Sequence, residues 1–270
     1  MHWRYVWMWV VISAIGACKE KPVTLPEFEI PQGDRNVLIE EFTGVQCPNC
    51  PDGSAIIKQL KVELGDRLVP ISIHHGFFAR PLPESKQDLN CHCGYGDALI
   101  QAIGKGPLGY PAAVINRRKV GQKLYPNKDE WRALVFEELR RPAPAQMFLR
   151  VEGDSSSSSW PIHLRMAFAE TIDDVRLLVV LVEDGIREVQ ILPDGTHDSD
   201  YIHYYVLRKP ITPPEGLAIG GVAEGEIIER SFRVTVDSPW VAAHCSVIGF
   251  LYQPGLQNGV LQAVSAPLVH

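Results

Sequence analysis

The chain has 270 residues, 46% hydrophobic and 21% charged, with a net charge of −6. That length suits one large domain or two ordinary ones, and the acidic balance leaves no basic footprint for nucleic acid. No apolar run is long enough to span a bilayer as part of a mature fold.

The first residues, "MHWRYVWMWVVISAIGACKE", place Arg4 before an apolar run, then the small residues Gly16 and Ala17, then Cys18. That order predicts a secretory signal peptide over 1–17. The ending "IGAC" resembles a bacterial lipobox, which makes Cys18 the expected lipidation site, with its acyl chains as the membrane anchor. Lys19 follows, with no Asp there, which by analogy with lipoprotein sorting points to the outer membrane, facing periplasm or cell surface.

Residues 18–35 are polar and proline-rich and read as a tether. "NVLIEEFTG" (36–44) predicts a strand buried on both faces. Pro51 opens a helix that carries Ile56, Ile57, Leu60 and Leu64 on one face. A second strand is expected at 67–76. Residues 77–106 form an irregular insertion with a helix at 95–104. Strands follow at 110–118 and 119–125, the latter hairpin-connected, and an amphipathic helix at 127–141 with a capping box from Asn127 to Glu130. The order, strand–helix–strand–helix–strand–strand–helix, predicts an α/β domain over 36–141 with a parallel crossover.

"RPAP" (141–144) ends that pattern. Period-two runs then recur at 146–153, 160–170, 175–184, 201–208, 227–236, 244–252 and 259–266, with Ser155–Ser159 as a hairpin tip. They predict an all-β, Ig-like sandwich over 145–270.

Export makes cysteine usage informative, because thiols outside the cytosol tend to be oxidised. Setting Cys18 aside leaves Cys47, Cys50, Cys91, Cys93 and Cys245, an odd number, so at least one is unpaired. "CPNC" stands at a helix start, where free backbone N–H groups and the helix dipole favour thiolate. Cys47 is then the expected exposed nucleophile and Cys50 the resolving thiol, one turn deeper, acting through a mixed disulfide. Cysteines two apart rarely bond each other without strain, so one of Cys91 and Cys93 is a candidate partner for Cys245. Alternatively, "CHC" joins His74, His75 or the Cys47/Cys50 pair around Zn or Cu(I). The acid- and histidine-bearing stretch at 194–205 reads as a solvated turn. "GKGPLG" (104–109) lacks Walker A spacing.

The order of elements, "CPNC" at a helix start and "GYP" before a strand resemble the thioredoxin superfamily over about 34–141. The mature chain is also similar to the outer membrane protein twenty-eight-related lipoprotein family, through "VLIEEFTGVQCPNCP" (37–51), "DGT" (194–196), "YIHYYVLR" (201–208) and "GVLQA" (259–263). The second resemblance implies a thioredoxin-like domain joined to a β-sandwich. The first implies a cis-proline at Pro111 facing the dithiol and a buried acid at Glu41 that exchanges a proton with the resolving thiol. Glu40, beside it, is the alternative inward acid, since strand alternation sends only one of them to each face. Gln46 stands where ordinary thioredoxins have Trp.

The expected function is thiol–disulfide exchange on cysteine-bearing envelope or surface proteins through Cys47 and Cys50, with no cofactor. The alternatives are a non-enzymatic surface lipoprotein that binds an unknown ligand and carries a structural Cys47–Cys50 bridge, and Cu/Zn binding or delivery.

Overall fold

The computed structural model describes residues 35–121, 123–255 and 259–269. The expected signal peptide, Cys18 and the tether up to residue 34 lie outside the described residues. Within them, no helix is long and apolar enough to cross a membrane.

The protein is a mixed α/β structure, mostly strands. The first half comprises β1 (Val37–Thr43), α1 (Cys50–Leu64), β2 (Leu68–His74), α2 (Tyr95–Ile103), β3 (Ala112–Ile115) and α3 (Trp131–Leu139). Next come β4 (Ala145–Val151), β5 (Trp160–Phe168) and β6 (Ile172–Glu183). An excursion, 184–205, carries four two-residue strands: β7 (Ile186–Arg187), β8 (Gln190–Ile191), β9 (His197–Asp198) and β10 (Ile202–His203). The chain finishes with β11 (Val206–Pro210), β12 (Leu217–Val222), β13 (Ile227–Val234), β14 (Cys245–Gln253) and β15 (Gly259–Pro267).

The α1 crossover makes β2 parallel to β1, as expected, while β3 is antiparallel to it. Asn127 and Glu130 form the expected capping box ahead of α3. Among the described residues of 119–125 no strand forms. Only an isolated bridge between Val120 and Lys123 remains, because no neighbouring strand offers that segment a ladder. The strand expected at 201–208 is broken into β10 and β11 by Tyr205, whose φ of 57° turns the chain. Strand β12 was not expected from the sequence. Its Gly220 and Gly221 interrupt the alternation, and its pairing with β6 is irregular.

The expected division into an α/β unit and a separate sandwich is met only in part. One eight-stranded sheet runs through both halves in the order β15-β14-β6-β11-β2-β1-β3, with β12 beside β6. The joint is β11, which lies antiparallel to β6 and parallel to β2. The sheet also curls: Val260 N–H donates to Asn116 O at 2.9 Å, and Asn36 pairs with the Gln262 side chain and Ala263 O, so β15 returns against the start of β1.

Alternation sorts the core into layers. Leu38 and Phe42 of β1, Val69, Ile71 and Ile73 of β2, Val180 and Val182 of β6 and Phe250 of β14 share one face with Leu99 and Ile103 of α2. The insertion helix thus packs on strands from both halves. On the other face, Val37 and Ile39 pack with Ile57 and Leu60 of α1 and Trp131 and Val135 of α3. Farther along, Leu177, Val179 and Leu181 of β6 meet Ile162, Leu164 and Met166 of β5, which lies in a three-stranded sheet β13-β5-β4. Two facing sheets are therefore present in the second half, and the larger one belongs to the first half as well.

Candidate active site

After β1 the chain must turn sharply beneath the loop at 76–80. Gly44 permits this, since a Cβ there would sit 2.2 Å from Phe78 O. Cys47 N–H donates to Gly44 O at 3.0 Å, and Cys50 N–H donates to Cys47 O at 3.2 Å. Helix α1 opens at Cys50 with proline in its first turn. Cys47 and Cys50 are joined in a disulfide, with Cα atoms 5.4 Å apart.

Cys47 does not occupy the exposed position expected of it. It precedes the helix and is 2% exposed, and Cys50 is 1% exposed. Two segments far away in sequence close around this turn. From the insertion, Phe78 O accepts Gln46 N–H at 2.9 Å, and Arg80 O accepts the Gln46 side chain at 2.8 Å. From the excursion, Ile191 N–H donates to Val45 O at 2.8 Å, and Gln190 Nε2 donates to Cys47 O at 2.9 Å. The buried Glu188 carboxylate ties the two segments together by accepting the N–H groups of Lys86 and Gln87.

Glu41 lies on the α1 face, inside the protein. Its Oε2 is 3.5 Å from the hydroxyls of both Ser54 and Ser72, and its Oε1 has no partner. Burial with such weak compensation pushes the carboxyl up to about 8. The fourth helical residue, Gly53, lies between Glu41 and Pro111. A Cβ on Gly53 would lie 2.7 Å from Glu41 Oε1 and 2.9 Å from Pro111 Cβ. Helix start, buried acid and proline therefore meet at one glycine. The Tyr110–Pro111 peptide is cis.

Glu40 serves the opposite face. Its carboxylate accepts two hydrogen bonds from Arg117, at 2.8 and 2.7 Å, and one from the Tyr95 hydroxyl at 2.6 Å. Arg117 reaches inward because Asn116 and Arg117 both adopt left-handed backbone (φ 47° and 52°). Asn116 holds that turn by accepting Leu38 N–H and donating to Glu138.

The excursion adds polar groups beside Glu41. The Tyr201 ring lies 4.8 Å from that of His203, which lies 5.3 Å from that of His74. Burial holds both histidines neutral, His203 at about 4 and His74 well below its ordinary value. Neither ring nitrogen of His74 has a partner. His75 points the other way, to Asp97 and Tyr110.

The remaining cysteines correct the expected pairing. Cys91 bonds Cys93, and Cys245 is a free, buried thiol. Cys245 opens β14 opposite Glu183 of β6, inside the core between the two sheets, while Cys91 and Cys93 pack against the layer on the α2 side. Among the described residues no group of three or more His, Cys, Asp or Glu side chains is arranged to hold a metal. The 194–196 turn is closed by Asp194, which accepts from Thr196 N–H and Oγ1.

Gly53, Gln190 and Tyr201 were missed by sequence reasoning. Gly53 had a local signal, a glycine in the first turn of a helix where Ala would be preferred. Gln190 and Tyr201 had none, being about 140 and 150 residues from the dithiol.

The family model described as outer membrane protein Omp28 matches residues 97–269, a stretch that begins in α2 and leaves Cys47 and Cys50 outside it. No curated protein matches the chain significantly. Among solved structures, HBP35 of Porphyromonas gingivalis superposes with a TM-score of 0.66 at 16% identity, covering 87% of this chain and 76% of that one. A structural-genomics protein from Agrobacterium tumefaciens reaches 0.54 at 13% identity, covering 88% and 96%. Both likenesses concern the fold alone. A domain of the outer membrane lipoprotein Omp28 from Porphyromonas gingivalis, at 16% identity, covers 47% of this chain and 97% of its own, with a TM-score of 0.33 that carries no argument.

Proposed function

The chain belongs to the Omp28 family of outer membrane proteins, and from that premise we propose that it is a lipid-anchored envelope protein whose thioredoxin-like first half carries out thiol–disulfide exchange on cysteine-bearing envelope or surface proteins. Cys18 is the anchor in this reading, and the β-rich second half is an Ig-like sandwich fused to the redox unit. The observation that carries the proposal is the meeting of Glu41 and Pro111 at Gly53, in the first turn of the helix that Cys50 opens.

In the exchange, a substrate thiolate attacks Cys47 Sγ. The Cys47–Cys50 bond breaks, and its electron pair leaves on Cys50 Sγ. Cys50 takes the proton of the Glu41 carboxyl, which at about 8 is still protonated near neutral pH. A second substrate thiolate then displaces Cys47 from the mixed disulfide. The substrate leaves oxidised and the Cys47–Cys50 pair is reduced. Each step reverses when the partner is a disulfide.

The test is insulin reduction or glutathione-linked turnover by the full chain. Turnover in the wild type that disappears in Cys47→Ser supports exchange. The burial of both sulfurs favours a second reading, a non-enzymatic surface protein in which the bridge locks the turn. A bridge that resists reduction, with no turnover in the wild type, decides for that reading.

A further inference from the structure

Between α2 and the second half of the chain lies a cavity of about 500 Å³, the size of a small-molecule site. Ala98, Gln101 and Ala102 form one wall, since positions three and four apart share a face of α2. Pro214 and Pro254 line it from the loops that follow β11 and β14. Arg117 and Tyr252 reach it from inside the protein, and both are held in place. Arg117 is 4% exposed and is gripped by the Glu40 carboxylate, which offsets its charge. Its guanidinium lies 4.7 Å from the centre of the Tyr252 ring, and the Tyr252 hydroxyl donates to Glu215 O at 2.5 Å. Gly216, at φ 86°, lets the Glu215 loop close onto this ring, since a Cβ there would sit 3.0 Å from it.

Arg176 supplies the cavity's charge. It stands in β6 directly across the ladder from Tyr252 and is half-buried. Its Nη1 donates to Glu215 O at 3.3 Å, its Nε is buried without a partner, and among the described residues no carboxylate pairs with it. Glu215, the other charged residue at the cavity, is exposed, so its carboxylate is screened by solvent. The cavity thus combines apolar walls with one guanidinium whose charge is not offset. We propose that it binds a small amphipathic carboxylate, whose head pairs with Arg176 and whose apolar body fills the space between α2 and Tyr252. The planar fork of a guanidinium matches a carboxylate in shape and charge. The walls, built from alanine, proline and the Tyr252 ring, favour an apolar body over a fully polar anion. The cavity lies on the Glu40 side of the sheet, away from Glu41 and α1, so its occupancy is independent of the exchange reading above.

The test is isothermal titration of the full chain with octanoate and with octanol, its uncharged counterpart. Octanoate is expected to bind at one site with a Kd below about 1 mM, and octanol at least about tenfold more weakly. Added salt is expected to weaken octanoate and leave octanol unchanged. Arg176→Met keeps an unbranched stem and removes the charge. It is expected to weaken octanoate at least about tenfold and to alter octanol by less than about twofold. Ala102→Trp and Gln101→Trp, both at exposed helix positions, fill the cavity from the α2 side and are expected to abolish binding of octanoate. Far-UV circular dichroism and the urea midpoint identify the variants that fold. A wild-type chain that shows no octanoate binding at about 3 mM overturns the proposal. Octanoate binding that persists in a folded tryptophan variant places the ligand elsewhere and overturns it as well. Octanoate binding within twofold of wild type in Arg176→Met overturns the pairing of the carboxylate with Arg176, and the proposal with it.

Discussion

Replacing Glu41 with Gln isolates the energetic consequence of placing an acid behind the dithiol. In the unfolded chain this carboxyl titrates near 4.5, and in the folded protein burial holds it at about 8. Between those values the unfolded chain has lost the proton and the folded protein keeps it. The folded state then binds more protons, so stability falls as pH rises across that interval. The slope is ~1.4 kcal/mol per pH unit, and the full loss has a ceiling of about 5 kcal/mol. The loss is absent below pH about 4.5 and complete above about 8. Glutamine is neutral throughout and removes the pH-dependent part while nearly preserving the shape. Urea unfolding of wild type and Glu41→Gln at pH 5 and pH 9 measures it, with the bridge kept oxidised. The variant is expected to gain several kcal/mol relative to wild type on going from the lower to the higher pH. If the exchange reading holds, the same substitution is expected to slow disulfide reduction near neutral pH by removing the proposed proton donor for Cys50. An equal stability difference at both pH values would refute the reasoning, because it would mean that Glu41 is ionised in the folded protein.

Gly53→Ala inserts a methyl group between Glu41 Oε1 and the Pro111 ring. Despite a helix-propensity gain of ~1 kcal/mol, it should destabilise by about 1–3 kcal/mol in urea, and a neutral or stabilising result would contradict the close approach. Arg117→Met strands the Glu40 carboxylate in the layer beneath α2 and should cost about 3–5 kcal/mol; the double variant with Glu40→Gln should cost less than the sum of the singles. Cys245, held up to about 12 chiefly by burial and then by Glu183, should resist iodoacetamide at pH 8 in the native protein and react at once in denaturant. Native labelling at the rate of a free thiol would show that it is accessible.

Most elements were legible in the sequence because their signals are local. "VLIEEFT" is a strand by its own composition, α1 is started by Pro51, and the 127–130 cap is a four-residue exchange of hydrogen bonds. Misjudged segments were those whose fate depends on distant neighbours. Residues 119–125 have strand composition, yet their described residues form only an isolated bridge, whereas β12, weak in composition, is recruited by the edge of β6.

The candidate site divides in the same way. Sequence alone determined that a C-x-x-C pair would stand at a helix start after a buried strand, and that Glu40 and Glu41 would face opposite sides of it. These follow from helix caps and from the period of two along a strand. Only the tertiary structure decided which acid lies under the start of α1, because that depends on which face α1 covers. It also decided that β11 joins the halves into one sheet, that Phe78 and Gln190 hydrogen-bond to the turn that holds Cys47, and that the rings of Tyr201, His203 and His74 meet. Such contacts span up to about 150 residues of chain. They are set by the joint packing of three apolar layers, a property of no segment taken by itself.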